Sequence, residues 1–220
     1  MPSPHRRRPT MAAIGILGTG RVGSNLARAL VTAGHTVVIG SRTPESAAGG
    51  RDAVPGATYT GPRDAARTSD IVISALPGHV ALDQLAELST ELRGKVLVDI
   101  ANATTGAPTM RPLHTDASLA EHLQRALPGT RVVKTLNTML FTVMTDPGSL
   151  TTPPTAFLSG DDTEAKRAVA SLLGDLGWRE EWIEDLGDVT TARATEALIL
   201  LVPHVVRQHG LRPFAVSLAR

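Results

Sequence analysis

The chain has 220 residues, 42% of them hydrophobic, which is enough for one substantial core or a core with a small appendage. With 22 basic residues against 21 acidic ones, the formal charge of +1 gives no electrostatic reason to expect nucleic acid or an anionic membrane as a partner. The absence of cysteine excludes a disulfide framework, a thiolate metal site and a cysteine nucleophile, and 3 Phe, 2 Trp and 1 Tyr leave little for base stacking.

Residues 1–11 are basic but lack a signal-peptide core, so they read as a disordered N-terminal extension, with Met11 as a second candidate start. No run reaches the roughly 20 apolar residues that cross a bilayer, so a soluble cytoplasmic chain with small-molecule partners is expected. From residue 12 onward, short apolar runs alternate with longer helical ones, the pattern of βαβ units around a mainly parallel sheet. Strands are predicted at 12–17 (AAIGIL), 36–40 (TVVIG), 70–76 (DIVISAL), 95–100 (KVLVDI), 131–136 (RVVKTL) and 155–160 (TAFLSG), with a short extra one at 57–60. Each is nearly continuous in apolar character, as strands covered on both faces should be.

Helices are predicted at 22–33, 44–49, 62–68 and 81–92, and at 161–177, where acids precede an apolar face. A last helix, 189–209, is apolar almost throughout, which predicts burial in a subunit interface or in a lobe over the active cleft, with Pro203 kinking it. Residues 103–118, rich in Thr, Ser and Pro, read as a mobile loop at a strand's carboxyl end. The fold class is therefore α/β, a Rossmann-type doubly wound sheet at 12–160, followed by a small C-terminal α/β lobe at 161–220 that closes the site and carries a homodimer contact.

Gly18-Thr19-Gly20-Arg21-Val22-Gly23 is a G-x-G-x-x-G between a predicted strand and helix. In that setting Gly18 makes the tight turn, Gly20 lets the backbone approach a pyrophosphate, and Gly23 permits close helix–strand packing. The acid that would hold a ribose 2′-OH about 20 residues later is missing, and Ser41-Arg42 stands in its place. A carboxylate would repel a 2′-phosphate, whereas a hydroxyl and a guanidinium bind one, so NADP(H) is the expected cofactor, with Glu45 mildly opposed. Ala75, Leu76 and Pro77 end one strand beside the cofactor, and Asp99, Asn102, Thr135, Asn137 and Thr138 end the next two, converging on one rim. His79 is a candidate proton donor and equally an ordinary turn residue. The histidines lack metal-ligand spacing, and neither G-x-S-x-G nor a P-loop is present, so no metal ligand is assigned.

IGILGTGRVGSNLARALVTAGHTVVIGSR, with ISALP, VLVDIAN, VVKTLNTM and LRPFAVSLAR, resembles the F420-dependent NADP oxidoreductase family. The resemblance implies that Gly18, Thr19, Gly20, Val22, Ser41 and Arg42 hold NADP, and that Ala75, Leu76 and Pro77 form the turn between two cofactors, the second being F420. Two positions depart from the family pattern: Gly78 stands where an aromatic residue often follows the proline, and Ser46 stands where a lysine is expected. The expected function is hydride transfer between NADPH and a second redox partner, F420 foremost. Reduction of a small carbonyl or imine, and non-catalytic NADP sensing, are the alternatives. Direct hydride transfer needs positioning more than acid–base help, so no catalytic residue is assigned.

Overall fold

The structure, a computed structural model, describes residues 12–105 and 110–219; the N-terminal extension and the middle of the 103–118 loop lie outside the described residues. Six β-branched runs form β1 (Ala13–Leu17), β2 (Thr36–Gly40), β3 (Thr58–Thr60), β4 (Ile71–Ser74), β5 (Val96–Asp99) and β6 (Arg131–Lys134). They pair in parallel in the order β3-β2-β1-β4-β5-β6, the doubly wound arrangement whose strand order reverses between β1 and β4. β7 (Ala156–Ser159) joins antiparallel to β6, and β8 (Ile183–Gly187) joins parallel to β7, so the sheet continues past residue 160. β8 was not anticipated. Its IEDLG sequence puts two acids in an edge strand with no fully buried residue, so it lacks the continuous apolar run that marks the inner strands.

Side chains alternate across each strand and feed two cores. On one face, Ile14, Ile16, Val37 and Ile39 pack with Leu26 and Leu30 of α1 (Arg21–Thr32). On the other, Leu17, Val72, Leu97 and Val132 meet residues of α3 (Pro62–Thr68) and of α4 (Gly78–Ala86). Between β2 and β3 lies α2 (Pro44–Ala48), and α5 (Ser89–Leu92) follows α4 where one helix over 81–92 was expected; buried Leu88 turns the chain between them.

The region after β5 holds a second element absent from the sequence reading, α6 (Leu119–Ala126), which opens with a capping box between Ser118 and Glu121. The S-x-x-E spacing was a legible signal for it. Upstream of α6, Thr104 and Pro112 pair in an antiparallel bridge, which draws the described flanks of the loop together. α7 (Phe141–Met144) follows β6, and α8 (Thr163–Asp175) follows β7.

The predicted helix at 189–209 is segmented. A 3₁₀ turn (Val189–Thr191) leads into α9 (Ala192–Ala197), a second 3₁₀ turn (Leu198–Leu201) follows, and α10 (Val202–His209) completes it. Pro203 cannot donate to the Ile199 carbonyl four residues back, so the α-helical ladder breaks there. The expected burial is also only partial: Leu200 and Leu201 are 41% and 52% exposed. By length and composition alone, this 21-residue run could cross a membrane, contrary to the sequence expectation.

Candidate active site

The glycine loop opens at the carboxyl end of β1, where the strand order reverses. Gly18 has a φ of 121°, a conformation that side chains resist, and a Cβ there would sit 2.6 Å from the Ala75 carbonyl oxygen. A Cβ at Gly23 would meet the Gly18 carbonyl oxygen at 2.1 Å, so this glycine is needed for helix–loop contact. A Cβ at Gly20 would meet nothing within 4 Å, because Gly20 faces open space. That space is a cavity of about 980 Å³ lined by Gly18, Thr19, Gly20, Ser41, Arg42 and Thr43 among others, an adequate size for a dinucleotide.

Ser41 is 7% exposed and its Oγ accepts a hydrogen bond from the Thr43 backbone N–H at 3.1 Å. Its hydroxyl proton is thereby left free to donate into the cavity. Arg42 beside it is exposed and forms no ion pair among the described residues. The α1 N-terminus, Ser41 and Arg42 thus line one mouth with donors, an arrangement that suits phosphate groups.

A second cavity of about 540 Å³ adjoins the first, and the two share Ala75, Leu76 and Pro77. Its lining includes Val22, Ile100, Met139, Phe141, Met144, Leu198, Val205 and Phe214, with Asn102, Asn137 and Thr138 as its polar members and no titratable side chain. Leu136, at φ 57°, holds the left-handed conformation that few non-glycine residues adopt. It turns the chain after β6 so that Asn137 and Asn102 meet. Asn102 Nδ2 donates to the Asn137 carbonyl at 2.8 Å, and Asn137 Nδ2 donates to Asn102 Oδ1 at 3.0 Å. Thr138 Oγ1 is buried and unpartnered at this lining.

Gly78 now has a physical reason. A Cβ there would lie 2.2 Å from the Asn102 carbonyl oxygen, so the β5 end occupies the place an aromatic side chain would need. Aromatic surface reaches the apolar cavity from Phe141 and Phe214 instead.

Of the predicted site residues, Gly18, Thr19, Gly20, Ser41 and Arg42 line the first cavity, Val22, Asn102 and Asn137 the second, and Ala75, Leu76 and Pro77 both. Arg21 and Gly23 line neither. The Arg21 guanidinium lies 5.5 Å from the centre of the Phe141 ring. His79 is exposed on the first cavity, away from the apolar one.

Asp99, expected on the rim, is fully buried beneath it in a group whose other members, Lys134 and Glu196, sequence reasoning missed. Lys134 Nζ lies 2.8 Å from Asp99 Oδ2 and 2.8 Å from Glu196 Oε1, and donates to the Ala101 carbonyl at 2.5 Å. Burial works against the Lys134 charge, but the two carboxylates overcome it and raise its pKa; burial likewise raises Asp99. Glu196 Oε2 also accepts the Leu119 N–H at 2.9 Å at the start of α6. One buried ammonium therefore ties together β5, β6 and α9, and α9 leads into the cavity wall at Leu198. Glu196 is 97 residues from Asp99, so no local spacing could have revealed this contact.

Residues 13–103 match the family model described as NADP oxidoreductase, coenzyme F420-dependent. A crystal structure from Arthrobacter sp. FB24, assigned by name to the F420-dependent NADP reductases, superposes with a TM-score of 0.86 at 36% identity, covering 96% of this chain and 100% of that one. Metalloreductase STEAP3 of Rattus norvegicus is 31% identical over 187 residues, covering 85% of this chain and 36% of that protein. The F420-dependent NADP reductase of Methanocaldococcus jannaschii is 32% identical over 147 residues, covering 64% of this chain and 63% of that protein. The chain thus spans about a third and under two thirds of the length of these two curated relatives. With the glycine loop, the Ser41-Arg42 pair and a full-length structural match at this identity, the chain belongs to the F420-dependent NADP oxidoreductase family.

Proposed function

We propose that this chain catalyses hydride transfer between NADPH, held in the glycine-loop cavity, and a second redox partner in the adjoining apolar cavity, foremost the deazaflavin F420. The observation that carries the reading is the shared wall of Ala75, Leu76 and Pro77, across which ligands in the two cavities would meet. The nicotinamide supplies the hydride chemistry. Gly18 and Gly20 bring backbone amides to the pyrophosphate, Ser41 and Arg42 hold the 2′-phosphate, and the apolar wall of Val22, Met139, Phe141 and Phe214 keeps water from the reacting faces. Positioning of this kind can lower a barrier by ~7–11 kcal/mol without any side chain moving a proton.

Reduction of a small carbonyl or imine is the second reading, favoured by one observation: buried Thr138 Oγ1 has no partner and lies at the apolar cavity, where it could hold a substrate heteroatom. NADPH oxidation measured anaerobically with F420, FMN and a panel of carbonyls and imines separates the readings. Turnover with F420 supports the first and turnover confined to carbonyls or imines the second. Tight NADPH binding with no turnover at all would leave only nucleotide sensing.

The exposed Leu200 and Leu201 belong, in this proposal, to a homodimer contact beside the apolar cavity. Light scattering at monomer mass would overturn it.

A further inference from the structure

A dianionic 2′-phosphate in the first cavity carries more charge than Arg42 alone offsets, and α2, which follows the lining residue Thr43, has the sequence PESAA and carries no cation. The cavity lining includes one other guanidinium besides Arg42, that of Arg63. Arg63 follows Pro62 at the start of α3, and several contacts bring that start against the end of β2. The Ser41 N–H donates to the Thr60 carbonyl at 2.9 Å, and a Cβ on Gly40 would lie 3.1 Å from Pro62 Cα. Ser41 and Arg63 therefore leave neighbouring strand ends, β2 and β3, on the same edge of the sheet.

Arg63 is also held in place. Its Nη1 donates to Glu91 Oε1 at 2.9 Å, from α5 behind it, while its side chain stays 62% exposed. Glu91 is only 16% exposed, so the anchor is firmer than the guanidinium it holds. The hydrogen bond from Arg63, first among its causes, draws the Glu91 pKa below its ordinary value. A guanidinium has five N–H donors, and this contact uses one nitrogen, so the rest of the fork stays available to a ligand in the cavity that Arg63 lines. Asp64, the lining acid next in sequence, has its own partner in Arg67 at 2.8 Å.

We infer that Arg63 is a second specificity-determining contact for the 2′-phosphate of NADP(H), working with Arg42 across the cavity mouth, and that Glu91 is its positioning residue. The inference rests on the NADP reading above and adds that cofactor choice in this chain is shared between β2 and α3.

Calorimetric titration of the full chain with 2′,5′-ADP and with 5′-AMP tests it without any turnover. Arg63→Ala should weaken 2′,5′-ADP roughly tenfold to a hundredfold, the range for one charge-assisted hydrogen bond, and leave 5′-AMP within about twofold. Arg63→Lys should recover part of that loss, and Glu91→Gln should reproduce a smaller share of it, with 5′-AMP again unmoved. Thermal melts equal to that of the parent chain check that the fold is intact. Equal loss for both nucleotides would overturn the inference, because it would place Arg63 on the adenine or the ribose ring. No change with Arg63→Ala, while Arg42→Ala loses its preference for 2′,5′-ADP, would overturn it and leave the NADP reading standing. If neither variant alters the preference, the NADP reading itself fails.

Discussion

The ammonium of Lys134 and the carboxylate of Asp99 meet at 2.8 Å with 1% and 0% of their side chains exposed. Asp99 ends β5 and Lys134 ends β6, and the residues after each of them, Ile100 to Asn102 and Asn137 to Leu140, line the apolar cavity. The pair fixes the floor from which the wall of the apolar cavity rises. Lys134→Met would leave Asp99 buried without its partner, and such a loss costs about 3–5 kcal/mol. Urea unfolding should register that loss. A milder effect, under about 1 kcal/mol, would mean the pair is not closed in solution.

The missing acid at the end of β2 makes Arg42 a direct test of cofactor choice. Arg42→Ala should weaken NADPH by about 1.5–3 kcal/mol and leave NADH almost unchanged, since only one of them carries the 2′-phosphate. Fluorescence titration with both nucleotides reads the difference, and equal losses would refute the phosphate assignment.

The two glycines at the start of α1 should fail in different ways. Gly20→Ala places its methyl in the open cavity, so stability should change by less than about 1 kcal/mol while nucleotide affinity falls on the order of tenfold. Gly23→Ala drives its methyl onto the Gly18 carbonyl oxygen at 2.1 Å, so the fold itself should lose about 1–3 kcal/mol. Melting curves with and without NADPH distinguish the two. Matching melts for both variants would contradict the geometry.

Glu121 makes the stability of the C-terminal region sensitive to acid. Arg193 donates to it at 2.7 and 2.6 Å, and Ser118 adds backbone and hydroxyl donors at 2.8 and 2.9 Å. The Arg193 hydrogen bonds, followed by those from Ser118, hold its carboxyl at about 2 against an ordinary 4.5. A carboxyl whose pKa is depressed on folding stabilises the fold above its unfolded value and loses that contribution as pH falls through its folded one. Glu121→Gln should therefore be the less stable chain at pH 7, with the gap narrowing between about pH 4.5 and 2. A gap independent of pH would show that the carboxylate charge has no part in it.

The sequence alone specified seven of the eight strands and the glycine loop, because both are written in local patterns. Nearly continuous apolar runs, glycines at fixed offsets and Ser41-Arg42 after β2 need only neighbouring residues to be read. The mixed-polarity edge strand β8 escaped, since its acids break the continuous apolar run, and α6 escaped although its capping box was legible. What tertiary structure alone decided is the apolar enclosure of the second cavity. The chain after β5 fills the place an aromatic at position 78 would need, and the uniform apolarity of 189–209 conceals a segmented run with exposed leucines. Lys134, Asp99 and Glu196 come from three distant stretches, and the cost of burying an unpaired charge forces them together only once the chain has folded.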